Sequence, residues 1–264
     1  MPGNVETAEL RKALSDPERV RASGFEILQE LCRLTSASDE QDVQDMVLRA
    51  LEMREHFVLG QEILDGLVRH FGLFQYLEPA DLPWPDQIAY EVHRPANLED
   101  EIVFHRPQAE VYWTLLAGEN VILSAPTSFG KSLIIDAVIA SGRYRNILIV
   151  VPTVALIDET RRRLSRRFRN SYKIITHGSQ TREERNVFVA TQERVLKEDV
   201  DDDIDLFVID EFYKLSPARG EDDRSALLNQ VVYRLVKKVR QFYMLGPNVL
   251  GISSDFGRRV KYLG

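Results

Sequence analysis

From about Glu6 to Phe74 apolar residues recur at helical spacing. Asp16 followed by Pro17 offers an N-cap and a proline for the first helical position, and the helix that follows carries Ile27, Leu28, Leu31, Cys32 and Leu34 on its apolar side. Ser38 or Asp39 can cap the next helix, where Val43, Met46, Val47, Ala50 and Leu51 line one face. A third helix carries Ile63, Leu64, Leu67, Val68, Phe71 and Phe74. Three such stripes predict a small all-α domain over residues 1–78, each stripe covering the others; a docking module for a partner protein is the alternative reading. The texture then changes. Pro79, Pro83, Pro85 and Pro95 predict a linker over 79–101 that holds no regular helix, with Trp84 and Tyr90 packing it along the next domain.

Beyond it, over 102–264, the period switches. An amphipathic helix ends near Gly118, and short apolar runs then alternate with helical patterns. Strands are expected at 121–124, 147–151, 173–176, 187–190, 205–209 and 242–245, and the clearest helix runs from about Arg224 to Arg240. Alternation of this kind predicts an α/β domain with a parallel sheet covered on both faces.

Composition narrows the picture. The 264 residues are 44% hydrophobic and 28% charged, an ordinary globular balance with room for one large domain or two modest ones. A net charge of −7 argues against bulk electrostatic binding of nucleic acid and leaves room for a local basic patch. The lone cysteine, Cys32, is expected in the core and excludes an intramolecular disulfide, which fits a reducing, cytoplasmic setting. No apolar run has the length of a membrane span, and the histidines show no metal-ligand spacing.

Candidate chemistry centres on NVILSAPTSFGKSLIIDAVIA, residues 120–140. Strand, loop and helix N-terminus coincide there, and Gly130, Lys131 and Ser132 close the pattern A-x-x-x-x-G-K-S. In such a loop backbone N–H groups wrap polyphosphate, the lysine reaches the outer phosphates and the hydroxyl holds Mg²⁺; the helix dipole favours the anion. The second feature is DLFVIDEFY, 205–213, an apolar strand ending in Asp210 and Glu211. Ligands bind at the carboxyl ends of strands in parallel sheets, so both carboxylates can face the same edge as the loop. One can position Mg²⁺ while the other orients an attacking water.

The order AxxxxGKS, VPTVAL, THG, ATQERV and DEFY resembles the first, RecA-like motor domain of superfamily 2 helicases of the DEAD/DEAH type, and it is also similar to some large bacterial anti-phage defence helicases around the loop and the Asp-Glu-Phe-Tyr segment. The resemblance implies ATP and Mg²⁺ as ligands. Lys131 would contact the outer phosphates, Ser132 and Asp210 the metal, and Pro126, Thr127, Ser128, Phe129 and Gly130 would shape the loop. Gln108, with Phe104 and Arg106 nearby, resembles the adenine-reading glutamine, whose amide pairs with a donor and an acceptor together; a helix-capping role is the alternative. Pro152, Thr153 and Leu156, then His177 and Gly178, then Thr191, Gln192 and Glu193 match segments that touch the nucleic-acid backbone without reading bases. The arginines at 161–163, 166, 167 and 169 are expected to form a solvated helix face.

Three departures stand out. Ala125 replaces a loop glycine, Tyr213 stands where many relatives have histidine or aspartate, and Gly246, Pro247 and Asn248 stand where Ser/Thr-Ala-Thr is expected. The resemblance also implies a second motor domain supplying arginine fingers, which is missing from this chain. The chain alone is therefore expected to bind ATP and turn it over very slowly. Another P-loop NTPase, or a nucleotide-switched module whose N-terminal helices recruit a partner, are the alternatives.

Overall fold

The computed structural model describes residues 3–36, 40–78, 82–98, 102–198, 203–216, 222–247 and 260–263. It divides into two compact units, Met1–Arg94 with Val103–Arg106, and Pro95–Ile102 with Pro107–Gly264.

The first unit is helical: α1 (Gly3–Ala13), α2 (Pro17–Leu34), α3 (Glu40–Glu52), α4 (Gln61–His70) and α5 (Trp84–Val92). Asp16 caps α2 as its sequence suggests, Oδ1 accepting from the N–H groups of Glu18 and Arg19 at 3.0 and 3.3 Å; such a cap contributes about 1 kcal/mol. Val20, Leu28, Leu31, Met46, Val47 and Leu64 are fully buried in one core. The candidate caps Ser38 and Asp39 lie outside the described residues.

Two expectations are corrected here. Cys32 is exposed, because the buried face of α2 centres on Ile27, Leu31 and Leu34 and each helical step turns the side chain by roughly 100°. The proline-rich segment does hold a helix. Pro85 falls in the first turn of α5, where a missing N–H costs nothing, and Pro95 follows its end. Tyr90 of α5 belongs to the core of the helical unit, whereas Trp84 is 73% exposed.

The second unit is α/β. Its helices are α6 (Arg106–Leu116), α7 (Lys131–Ala140), α8 (Val154–Phe168), α9 (Gln192–Lys197) and α10 (Asp222–Lys238). Its strands are β1 (Asn120–Ser124), β2 (Asn146–Val150), β3 (Lys173–Ile175), β4 (Asn186–Ala190), β5 (Leu206–Asp210), β6 (Gln241–Gly246) and β7 (Val260–Leu263). All pairs are parallel, in the order β3-β4-β2-β5-β6-β1-β7. The first six strands match the sequence expectation; β7, on the outer side of β1, was not foreseen. Leu148, Val150, Phe207, Ile209, Phe242 and Met244 pack against Val231 and Leu235 of α10, and the intervening strand residues are buried too, as a sheet covered on both faces requires.

Two polar contacts fix α6 to the sheet. The Leu115 carbonyl, at the helix end, accepts from the Gly118 N–H at 2.9 Å and also from the Tyr144 hydroxyl at 2.9 Å and Gln241 Nε2 at 2.7 Å. Because every strand runs the same way, the segments that follow them share one edge. Those after β5, β6 and β1 occupy one half of it, and those after β3, β4 and β2 the other.

Candidate functional site

The loop between β1 and α7 begins with Ala125, buried, its N–H donating to the Gly246 carbonyl at 3.1 Å. A short 3₁₀ turn, Thr127–Phe129, leads to Gly130 at φ +79°. A side chain is disfavoured there by the backbone, and Gln108 would have to shift to admit one. The left-handed φ strains any Cβ, and a Cβ would lie 2.7 Å from Gln108 Nε2. Gln108 is buried on α6 and donates to the Phe129 carbonyl at 2.7 Å, so the expected adenine reader is seated against the loop itself. Lys131 turns back into the loop, Nζ donating to the carbonyls of Ala125 at 2.7 Å and Pro126 at 3.0 Å. Burial pulls its ammonium below the usual lysine range, and the charge of Asp210 opposes that pull.

Opposite the loop, β5 ends in Asp210 and Glu211. With Thr127, Gly130, Lys131 and Ser132, these two carboxylates line one cleft of about 420 Å³, completed by Tyr213, Leu245, Gly246 and Pro247. The departure at Gly246–Pro247 thus borders the same cleft. Glu211 adopts φ +60°, ψ +46°, an uncommon conformation for a residue with a side chain, and its Oε2 lies 2.5 Å from Lys214 Nζ. Burial pushes the Asp210 carboxyl above the usual range and the neighbouring Glu211 charge adds to this; Lys131 and Arg163 oppose it. On β6 the Tyr243 hydroxyl is buried and has no hydrogen-bond partner among the described residues; burial and the Asp210 charge push its pKa far up, so it stays protonated.

The donor set suits Mg²⁺ and polyphosphate: hard oxygen ligands on Ser132 and Asp210, a lysine, and a loop held open to close approach by a glycine. The raised Asp210 carboxyl also carries a stability consequence. A carboxyl whose folded pKa exceeds its unfolded value favours the folded state at low pH, and that contribution is lost as pH rises from the ordinary carboxylate range through the folded pKa. At neutral pH, without metal, the ionised group therefore costs stability. Asp210→Asn is expected to raise the melting temperature in EDTA at pH 7 by ~2–4 °C, on the order of 1 kcal/mol, and by less as pH falls towards 4. Thermal denaturation at both pH values checks this; a lower melting temperature at pH 7 would contradict it.

The other half of the edge holds the remaining candidates. Thr153 caps α8, its hydroxyl accepting from the Leu156 N–H at 3.3 Å, and the preceding Pro152 carbonyl accepts from Arg224 at 3.2 Å. Arg224 also lies 3.6 Å from Glu193, so one α10 residue joins two of the three segments. Burial would push the Glu193 carboxyl up, but a hydrogen bond with Thr191 and the charge of Arg224 hold it below the usual range. His177 and Gly178 are exposed after β3, with Gln180 Oε1 accepting from the N–H groups of Thr176 at 2.7 Å and His177 at 2.9 Å. Thr191 and Gln192 are buried, which turns the Gln192 side chain inward. Phe104 and Arg106 belong to the helical unit. Phe104 is buried, its N–H donating to the His93 carbonyl at 2.7 Å, and Arg106 is exposed at the start of α6.

Sequence patterns missed Arg224, Tyr243 and the pairing of Arg163 and Arg167 with buried Asp136. The arginines of α8 are thus not all a solvated face. One signal was present: Asp136 interrupts the apolar run LIIDAVIA, and a carboxylate in such a run requires a partner.

A family model described as DEAD/DEAH box helicase matches residues 105–246, and one described as Anti-bacteriophage protein B N-terminal domain matches residues 1–87. Anti-bacteriophage protein B of Escherichia coli (strain K12) is 44% identical over 241 residues, covering 87% of this chain and 33% of that protein. The chain thus spans about a third of the relative's length. Similar solved structures include the Sulfolobus solfataricus SWI2/SNF2 ATPase core in complex with dsDNA (TM-score 0.45, 15% identity, 58% of this chain and 33% of that one). Others are the UvsW helicase from bacteriophage T4 (0.41, 22%, 69% and 70%) and the Pyrococcus furiosus Hef helicase domain (0.44, 17%, 60% and 37%).

Proposed function

We propose that this chain, which belongs to the DEAD/DEAH box helicase family, is the first motor domain of an ATP-dependent nucleic-acid helicase or translocase, preceded by a helical accessory domain. The observation that carries the reading is the division of one sheet edge: the loop, Asp210 and Glu211 follow β1 and β5 in one half, while the segments at Pro152, His177 and Thr191 follow β2, β3 and β4 in the other.

Lys131 and the loop amides hold the ATP phosphates, Gln108 reads adenine with Phe104 and Arg106 beside it in sequence, and Ser132 and Asp210 hold Mg²⁺. Mg²⁺ held there would supply positive charge to offset that of the phosphates. Glu211 accepts the proton of the attacking water. Pro152, Thr153, Leu156, His177, Gly178, Thr191 and Glu193 contact a DNA or RNA backbone without base readout; Gln192 supports them from inside. Turnover requires arginine fingers from a second motor domain, so this chain alone binds ATP and hydrolyses it slowly. Among the described residues no helix is long and apolar enough to cross a membrane, and we place the protein in the cytoplasm. The match of the N-terminal helices to the anti-bacteriophage relative supports a role in defence against phage, with those helices engaging a protein partner.

ATPase activity of the chain joined to a second motor domain, measured with and without single-stranded DNA and RNA, tests the reading. Stimulation by at least about tenfold is expected. Turnover indifferent to both would instead fit another kind of P-loop ATPase.

A further inference from the structure

Asp136 lies midway along α7 between Ile135 and Ala137, in a helix whose neighbouring side chains are all apolar, and it is 2% exposed. A buried carboxylate needs compensation. Two arginines one turn apart on α8 provide it: Arg163 to Oδ1, and Arg167 to Oδ2 at 3.0 Å. They are not equivalent. Arg167 reaches across to Asp136, whereas Arg163 also donates to the Ser132 carbonyl at 3.2 Å. Ser132 carries the candidate metal hydroxyl. The same α8 begins at Thr153, in the other half of the sheet edge.

We propose that Arg163 is a positioning residue of the nucleotide site, fixing the first turn of α7 so that Ser132 and Asp210 meet one Mg²⁺ ion. The inference rests on the reading of Ser132 and Asp210 as metal ligands. Arg163 touches no ligand; it acts through the Ser132 backbone. Because Arg163 stands about three turns into α8, roughly 15 Å from Thr153, the helix carrying one candidate backbone contact is tied to the metal half of the site.

The test compares Arg163→Met, Arg163→Lys and Arg167→Met in the whole chain, by calorimetric titration of a non-hydrolysable ATP analogue with Mg²⁺ and with EDTA. Each arginine loss exposes the same buried charge, so both methionine variants are expected to lose similar thermal stability. Only Arg163→Met is expected to weaken Mg²⁺-dependent binding, by about tenfold or more, with metal-free binding changed by less than about threefold. Lysine at 163 keeps the charge beside Asp136 but lacks the planar fork that serves two acceptors. It is expected to recover stability without recovering the metal dependence, and it decides the matter if Arg163→Met does not fold. Equal Mg²⁺ dependence in the 163 and 167 variants overturns the proposal. Amide exchange over 132–136, measured without nucleotide, is an independent readout: faster exchange in the 163 variants than in Arg167→Met supports the clamp, and equal exchange overturns it. If the wild-type chain bound no nucleotide, the phosphate-loop reading would fall, and exchange alone would decide the role of Arg163.

Discussion

Lys131→Ala is expected to weaken ATP binding by roughly tenfold or more. The Lys131 ammonium sits inside the loop against the carbonyls of Ala125 and Pro126, where an outer phosphate can draw it off without moving the backbone. Desolvation has already pulled its pKa down, so a phosphate partner restores charge stabilisation that the site withholds. Losing a charge-assisted bond of this kind costs about 1.5–3 kcal/mol, roughly 10–150-fold in affinity. The fold should tolerate the change, because the two carbonyls released are loop groups that water can satisfy. Calorimetric titration beside a melting curve separates the two effects. ATP affinity unchanged in a folded variant would remove the phosphate-loop assignment.

Glu211→Gln is expected to have the opposite profile: binding kept, turnover lost. Glutamine preserves volume and hydrogen-bonding reach but cannot accept the proton of the attacking water, and general-base contributions are typically ~10²–10⁴-fold. Two features make Glu211 suited to that role. Its left-handed backbone turns it out of the strand direction immediately after Asp210, and its ion pair with Lys214 holds the side chain in place. The measurement is steady-state hydrolysis and ATP affinity in a protein carrying both motor domains. A rate within about threefold of wild type would exclude Glu211 as the base.

The residues most legible in the sequence act through their immediate neighbours. Gly130, Lys131 and Ser132 lie on consecutive positions between a strand and a helix, and Asp210 with Glu211 marks a strand end; both patterns survive folding because the geometry they need is local. The six expected strands owe their legibility to short apolar runs between turn signals. What escaped was long-range or depended on exact phase. Asp136 finds its partners across 27 and 31 residues, and arginines spread around α8 look alike until one knows which face meets α7. Arg224 joins Pro152 across 72 residues. Prolines hid α5, since the same residue that breaks a helix interior starts one at its first turn. Cys32 lay just off the buried stripe of α2.

We propose that one sheet edge carries two separable ligand sites, the loop half for ATP and the β2–β3–β4 half for nucleic acid. The most direct measurement pairs two titrations, a fluorescent ATP analogue and a fluorescent single-stranded oligonucleotide, on Lys131→Ala and on the double variant Thr153→Ala/His177→Ala. Lys131→Ala is expected to lose the nucleotide and keep the oligonucleotide in the absence of ATP, while the double variant does the reverse. Loss of both ligands by either folded variant, or oligonucleotide affinity unchanged in the double variant, would contradict it.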